Sequence, residues 1–314
     1  MESQPTNDCS EVSTSSLGPM GRITSRRRVT RLRRGMAPST RADTLAVEEP
    51  LEIRLGGERF VVTMRTPGDD VELALGYLVS EGIITGIDDV VGARYCAGTD
   101  SSGANTYNVL DVTLGPGVAA PDSSSIRATP VTSACGVCGK DSIESVTTHS
   151  AFDVGPTSLR VDADLLLSLP DRLRAGQNVF DKTGGLHAAG LFDATTGEML
   201  VLREDVGRHN AVDKVVGWAL QEGRIPLHGS VLQVSGRASF ELVQKAAMAG
   251  VPMLCAVSAP SSLAVDLADD RGITLVGFSR GDSMVIYTGA ERISTAGTVT
   301  GPDETAPAAA SGRA

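Results

Sequence analysis

In LEIRLGGERFVVTM, which starts at residue 51, apolar side chains alternate: Leu51, Ile53 and Leu55, then Phe60, Val62 and Met64. A period of two predicts strands with one face buried. Gly56 and Gly57 between the runs predict a two-residue hairpin turn. The period then lengthens. In DDVELALGYLVSEG, Val71, Ala74, Leu75 and Leu78 recur at helical spacing and form one apolar stripe. Asp69 and Glu72 have the spacing of a capping box, and Gly82 is placed to end the helix. TYNVLDVTL predicts a further strand that ends near Gly115. The turn-rich stretch GPGVAAPDSSSIRATP then reads as a boundary or loop.

Beyond it, strand and helix periods alternate. LHAAGLFD and EMLVLRED predict an antiparallel pair about a turn at 194–197. NAVDKVVGWALQEG predicts a helix with Val212, Val215, Val216 and Ala219 on one face. SVLQVSG, PMLCAVSA and ITLVGFSR predict buried strands, separated by the helical segments FELVQKAAMAG and SSLAVDLADDRG, and MVIYTG predicts a last strand. Helices between successive strands predict a layered α/β sheet. Such sheets bind ligands at the carboxyl ends of their strands. The expected organisation is a basic tail over 1–40, a smaller α+β domain over 41–125, an α/β domain over 126–296 and a tail over 297–314. Neither tail has a hydrophobic period, so both are expected to be disordered.

Charge sharpens this outline. Residues 1–41 hold eight arginines and three acidic residues, leaving 20 basic against 35 acidic residues in the rest. So acidic a body excludes a general nucleic-acid binder. An anionic ligand would need helix N-termini, backbone N–H groups and single arginines. No run of about 18 apolar residues suggests a membrane span. The stretch SRRRVTRLRR lacks the apolar segment that a twin-arginine export signal would carry after it.

The five cysteines, at 9, 96, 135, 138 and 255, are odd in number and irregular in spacing. They do not form a disulfide framework, and a reducing cytoplasm fits better. Cys135 and Cys138 stand in TSACGVCGK, where three chemistries compete. Structural zinc needs four ligands, and no second close pair is present. A disulfide oxidoreductase motif normally opens a helix early in a small thioredoxin-like fold. A nucleophilic carrier needs a thiolate, about 3% populated for an ordinary cysteine at pH 7. A helix beginning at Gly139, with Lys140 nearby, would raise that fraction. Flanking Gly136 and Gly139 leave room for a large partner. The last reading suits the segment best, with Cys135 as carrier and Cys138 as helper. Cys255, inside PMLCAV, reads as core.

Several long motifs carry a family resemblance: TSACGVCGK, DKTGGLHAAGLFD, LREDVGRHNAVDKVVG, VSGRASFELVQKAAMAGVP, GFSRG and TPGDDVELALGYLVSEGII. Together they resemble the formate dehydrogenase accessory sulfurtransferase (FdhD) family over about 45–290. The resemblance implies a cytidine-deaminase-like layered C-terminal domain. It implies a sulfur carrier that takes persulfide sulfur from a cysteine desulfurase and passes it to the molybdenum cofactor, a bis(molybdopterin guanine dinucleotide), before insertion into formate dehydrogenase. Cys135 matches the persulfide position and Cys138 the second cysteine. A homodimer is implied as well, and no permanent metal. The rival within this reading is a chaperone that binds the cofactor without moving sulfur. A zinc deaminase does not fit: an acid two residues after His187 is missing, and Ala134 replaces the motif proline.

On that reading, residues 278–283 (Phe278, Ser279, Arg280, Gly281, Asp282, Ser283) match the family's cofactor-binding stretch, with Arg280 as phosphate partner. Gly236, Arg237 and Ser239 form a strand-to-helix junction fit for a diphosphate, and Ser258, Ser261 and Ser262 form another. Each junction alone also fits an ordinary capped helix. Asp205, Arg208, His209 and Asp213 either position the cofactor or start a solvent-facing helix. His187, behind Gly184-Gly185, is a candidate contact or a structural histidine.

Overall fold

The computed structural model describes residues 22–96, 107–119, 121, 150–154 and 158–295. Cys9, Cys135, Cys138 and the helix expected from Gly139 lie outside the described residues, as do most of both tails. The basic tail needs a correction where it is described. β1 (Thr24–Arg31) and β2 (Ser39–Ala46) pair antiparallel, from Thr24 opposite Ala46 to Arg31 opposite Ser39. Neither strand has a buried residue, so backbone pairing rather than a core defines this hairpin.

The first half builds a four-stranded sheet from β3 (Glu49–Leu55), β4 (Glu58–Arg65), β5 (Val90–Tyr95) and β6 (Val109–Leu114), in the order β4-β3-β6-β5. Gly56 and Gly57 turn the first hairpin at φ 58° and 90°, the left-handed pair that such a turn demands. Helix α1 (Asp70–Ser80) follows, but its expected capping box is absent. Asp69 sits in the left-handed region at φ 56° and makes no side-chain cap. Glu72 is drawn away instead by Arg203, whose Nε and Nη2 donate to its two oxygens at 2.5 and 2.6 Å.

After β7 (Val161–Asp162) come two helices that the hydrophobic reading passed over, α2 (Ala163–Gly176) and α3 (Asn178–Thr183). Their signals were present: Asp162 caps the Asp164 and Leu165 N–H groups, and Leu166, Leu169 and Leu173 form a buried stripe. The layered α/β domain then runs as expected: β8 (His187–Asp193), β9 (Met199–Asp205), α4 (Arg208–Gln221), β10 (Ser230–Val234), α5 (Phe240–Met248), β11 (Met253–Ala256), α6 (Ser262–Asp270), β12 (Thr274–Arg280) and β13 (Ser283–Thr288). Its strand order is β13-β12-β11-β10-β8-β9. β10, β11 and β12 are parallel, whereas β8, β9 and β13 join antiparallel. β14 (Ile293–Ser294) pairs with β7.

Alternation along these strands divides the core. Leu191, Leu232, Leu254 and Leu275 join the cluster that holds α4 and α5. Phe192, Val231, Met253, Cys255 and Val276 face the other way, onto the leucines of α2. The two halves share that first cluster, because α1 lies against α4. Glycine makes the crossing possible on both sides. A Cβ on Gly76 would stand 1.8 Å from the Asp213 carbonyl oxygen, and one on Gly217 would stand 1.9 Å from that of Glu72. Around the crossing, charges are buried in pairs. Lys214 Nζ lies 2.8 Å from Asp205 and donates to the Thr66 carbonyl, while Lys245 Nζ donates to both oxygens of Asp213. Removing one member of such a pair typically costs about 3–5 kcal/mol, because the other stays buried and unpaired.

Candidate functional site

Topology gathers one edge of the large sheet. The carboxyl ends of β10, β11 and β12 point there, as does the amino end of β8, because it runs antiparallel to β10. α5 starts after β10 and α6 after β11, and α4 starts after the carboxyl end of β9, which lies at the same edge because Asp205 pairs with His187. Backbone bonds lace the loops together: Ser258 N–H donates to the Gly236 carbonyl, Phe278 N–H to that of Ser258, and Ser261 N–H to that of Ala238. On the β8 side, Ala188 N–H donates to Ser235 Oγ at 2.8 Å, and Ser235 N–H donates back to the Ala188 carbonyl at 3.0 Å. His187 is thereby held beside Gly236, where an added Cβ would lie 3.5 Å from its Nδ1.

A cleft of about 500 Å³ opens at this edge. His187, Ser235, Val257 and Arg280 line it together with residues of α2 and α3 and Gly184-Gly185. That volume is in the range of a small-molecule site. Arg280 is exposed and makes no ion pair among the described residues; the same holds for Arg237. Arg208 also lacks a carboxylate partner there, and its buried Nε has no hydrogen-bond partner. Three uncommitted guanidinium groups therefore surround the strand ends of an acidic chain, the arrangement that receives a phosphate-bearing anion.

Several expected contacts need revision. Of residues 278–283, Arg280 lines the cleft, whereas Ser279 is fully buried and its hydroxyl takes no partner among the described residues. Phe278 adopts φ 51°, strained for a residue with a Cβ, where the β12–β13 register shifts. Gly281 turns the hairpin at φ 60°, and Asp282 and Ser283 are exposed. Ser239 begins α5 without capping it; its Oγ lies 3.3 Å from His209 Nε2 instead. The same ring, 3.7 Å from Glu241, holds that carboxyl down at about 2 against the opposing push of burial. Ser261 is an ordinary cap, accepting from Ala264 N–H. Asp205 and Asp213 are committed to the buried lysines, so the helix start at 205–213 is no solvent-facing surface. Cys255 is fully buried, which pushes its thiol up to about 12 and leaves it inert. Among the described residues, no three His, Cys, Asp or Glu side chains gather as a metal site, and no helix is long and apolar enough to cross a membrane.

His187 adds a pH response. Burial lowers its proton affinity most, the charges of Arg208 and His209 lower it further, and Asp205 opposes them. The free ring is thus neutral at pH 7. A bound anion favours the charged ring, so binding takes up a proton and strengthens as pH falls through the window below about 6.5. Pyrophosphate titrated calorimetrically from pH 7.5 to 5.5 should bind more tightly at the acid end. His187→Gln should lose the part of that gain which the anion's own titration does not supply.

Fold and edge together define a mixed α/β protein with a cleft at the strand ends of its large sheet, lined by Arg280. The matching family model is the FdhD/NarQ family, over residues 46–294, and the chain belongs to that family. The sulfur carrier protein FdhD of Streptomyces avermitilis is 60% identical over 275 residues, covering 87% of this chain and 97% of its own. Its namesake in Mycobacterium tuberculosis is 57% identical over 277 residues, covering 87% and 100%. The one in Saccharolobus solfataricus is 45% identical over 255 residues, covering 80% and 91%. Among solved structures, a protein assigned as a formate dehydrogenase accessory protein from Desulfotalea psychrophila superposes with a TM-score of 0.69. It covers 87% of this chain and 100% of its own at 23% identity, so the likeness is one of fold.

Proposed function

We propose that this protein is a sulfur carrier that serves formate dehydrogenase maturation, accepting sulfur on Cys135 and delivering it to a bis(molybdopterin guanine dinucleotide) molybdenum cofactor held at the strand-end cleft. The observation that carries the reading is its 60% identity to proteins named sulfur carriers, across a family match that spans both Cys135 and Cys138. The strand-end edge supports it: a cargo rich in phosphates needs free cations, and Arg280 lines the cleft while the uncommitted Arg208 and Arg237 stand at the starts of α4 and α5 on the same edge. The described cysteines support it by default of chemistry, since Cys96 and Cys255 are both buried.

Loading is a thiol–persulfide exchange. The Cys135 thiolate attacks the outer sulfur of a persulfide on a cysteine desulfurase. The S–S bond of the donor breaks, its cysteine leaves as thiolate, and Cys135 holds the extra sulfur. For delivery, the Cys138 thiolate attacks Sγ of Cys135 and expels hydrosulfide, which the molybdenum receives. The pair is left as a disulfide, so the two electrons that reduce the sulfur come from the two thiols, and a cellular thiol reductant resets them. Apo-formate dehydrogenase is the final recipient, the setting is the cytoplasm, and a homodimer suits a cargo with two guanine arms.

Incubation with a cysteine desulfurase and cysteine tests this. Intact-mass spectra should show a gain of about 32 Da, one sulfur atom, that a thiol reductant removes and that Cys135→Ser lacks. A Cys135→Ser protein that still gains the mass would move the carrier elsewhere. A wild-type protein that binds the cofactor yet never gains the mass would be a chaperone instead.

A further inference from the structure

The β1–β2 hairpin stands ahead of the family match, which begins at Ala46, and it contributes nothing to the lining of the strand-end cleft. None of its strand residues is buried, and an isolated two-stranded hairpin is at best marginally stable in water. β2 lies against α3, whereas β1 pairs only with β2 among the described residues. The outer edge of β1 therefore leaves backbone N–H and C=O groups open. That edge is also charged. β1 reads TSRRRVTR, with Arg26, Arg27, Arg28 and Arg31 and no acid. Among the described residues the hairpin's one ion pair joins Arg41 to Asp43 on β2, so the β1 arginines are committed to no carboxylate. A groove of about 940 Å³ follows the base of the hairpin, with Arg26 and Arg27 in its wall. Beyond Arg31, Leu32 and Met36 are 75% and 62% exposed.

We propose that β1 is a docking edge for an extended, acidic segment of a partner protein, which adds to the hairpin as a third strand and sets its carboxylates against these arginines. Side chains alternate along a strand, so Arg26 and Arg28 serve one face and Arg27 and Arg31 the other. An added strand then pairs best where it carries acids on both of its faces. Cross-strand neighbours stand about 5 Å apart, within reach of charge-assisted pairs. A second copy laid on this edge would set arginine beside arginine, which opposes pairing. A nucleic acid would match the charge but not the edge, because phosphodiesters accept hydrogen bonds and offer no N–H to the β1 carbonyls. A third strand supplies the pairing that a bare hairpin lacks. Leu32 and Met36, past the last arginine of β1, call for an apolar residue at that end of the segment.

Fluorescence anisotropy of the full chain with a labelled peptide of repeated Glu-Glu-Thr, closed by Leu at each end, tests this. A second peptide with Pro in place of each Thr keeps every charge but loses ladder donors along both of its edges. The wild type should bind the first peptide about tenfold or more tightly than the second, and more tightly than a DNA duplex of equal charge. The double variant Arg26→Glu, Arg28→Glu should lose about tenfold or more of the binding, with its melting temperature unchanged because both side chains are exposed. Equal affinity for the two peptides would refute strand addition. Undiminished binding by the double variant would place the peptide elsewhere and overturn the proposal. Tighter binding of the duplex, or a wild type that binds neither peptide, would overturn it as well.

Discussion

A strain whose only copy carries Cys135→Ala is expected to show formate dehydrogenase activity no higher than a strain with no copy, whereas Cys255→Ala should retain nearly all of it. The contrast turns on thiolate supply. Sulfur exchange needs an anion that can reach a partner's persulfide. Cys255 meets neither condition: it is fully buried on β11 and its thiol is pushed up to about 12. Cys96, at the end of β5, is buried as well. Losing the Cys255 sulfur removes a small core group, at a cost of about 1 kcal/mol. Formate-dependent dye reduction in the two strains, with carrier levels matched by immunoblot, decides the matter. Activity that survives Cys135→Ala would end the carrier assignment.

The second large effect is structural. Gly217→Val is expected to lower the melting temperature by about 10 °C or to leave the chain insoluble. A Cβ there would stand 1.9 Å from the Glu72 carbonyl oxygen, where ordinary contact begins at 3.4 Å. Backbone cannot swing aside as a side chain can, so α1 and α4 must part. Parting strains the bonds that α1 makes across the crossing: Glu72 with Arg203 on β9, and Ser80 with Asp213 on α4. Overpacking and exposed pairing together cost about 3 kcal/mol or more, and each kcal/mol is about 2–4 °C in a domain of this size. Gly86→Ala, at a position with nothing within 4 Å of an added Cβ, is the control and should shift melting by under about 2 °C. Scanning calorimetry of the full chain reads both; equal melting temperatures would mean that the crossing has slack.

Period carried most of the architecture. The turn at Gly56-Gly57, the β8–β9 pair and the order of elements from α4 to β13 were legible from their repeats, but β4 buries Val61, Thr63 and Arg65 in place of Val62 and Met64, because a bulge shifts its register between Ile53 and Arg54. Where period was weak, legibility failed. β1 and β2 bury nothing, so their arginines and threonines looked like a tail. Asp69 had the composition of a cap, but its left-handed backbone turned the side chain away and Arg203 claimed Glu72. Within the site, single residues could be nominated but their neighbours could not. His187 meets Gly236 because β8 lies antiparallel beside β10, a pairing across some fifty positions that no local pattern encodes. Ser279 sat in a candidate ligand stretch, yet strand alternation between Phe278 and Arg280 turns it inward.

The chain as a whole carries a formal net charge of −10, while Arg208, Arg237 and Arg280 stand uncommitted at one border of a single sheet. This asymmetry sorts approach directions before any contact forms. A polyanion drifting in from behind the helices is turned back by the general field, and one that arrives along the border is drawn in. The acidity that would seem a poor choice for a phosphate receiver thus works as a compass, and dissolved ions at physiological strength confine its reach to about 8 Å.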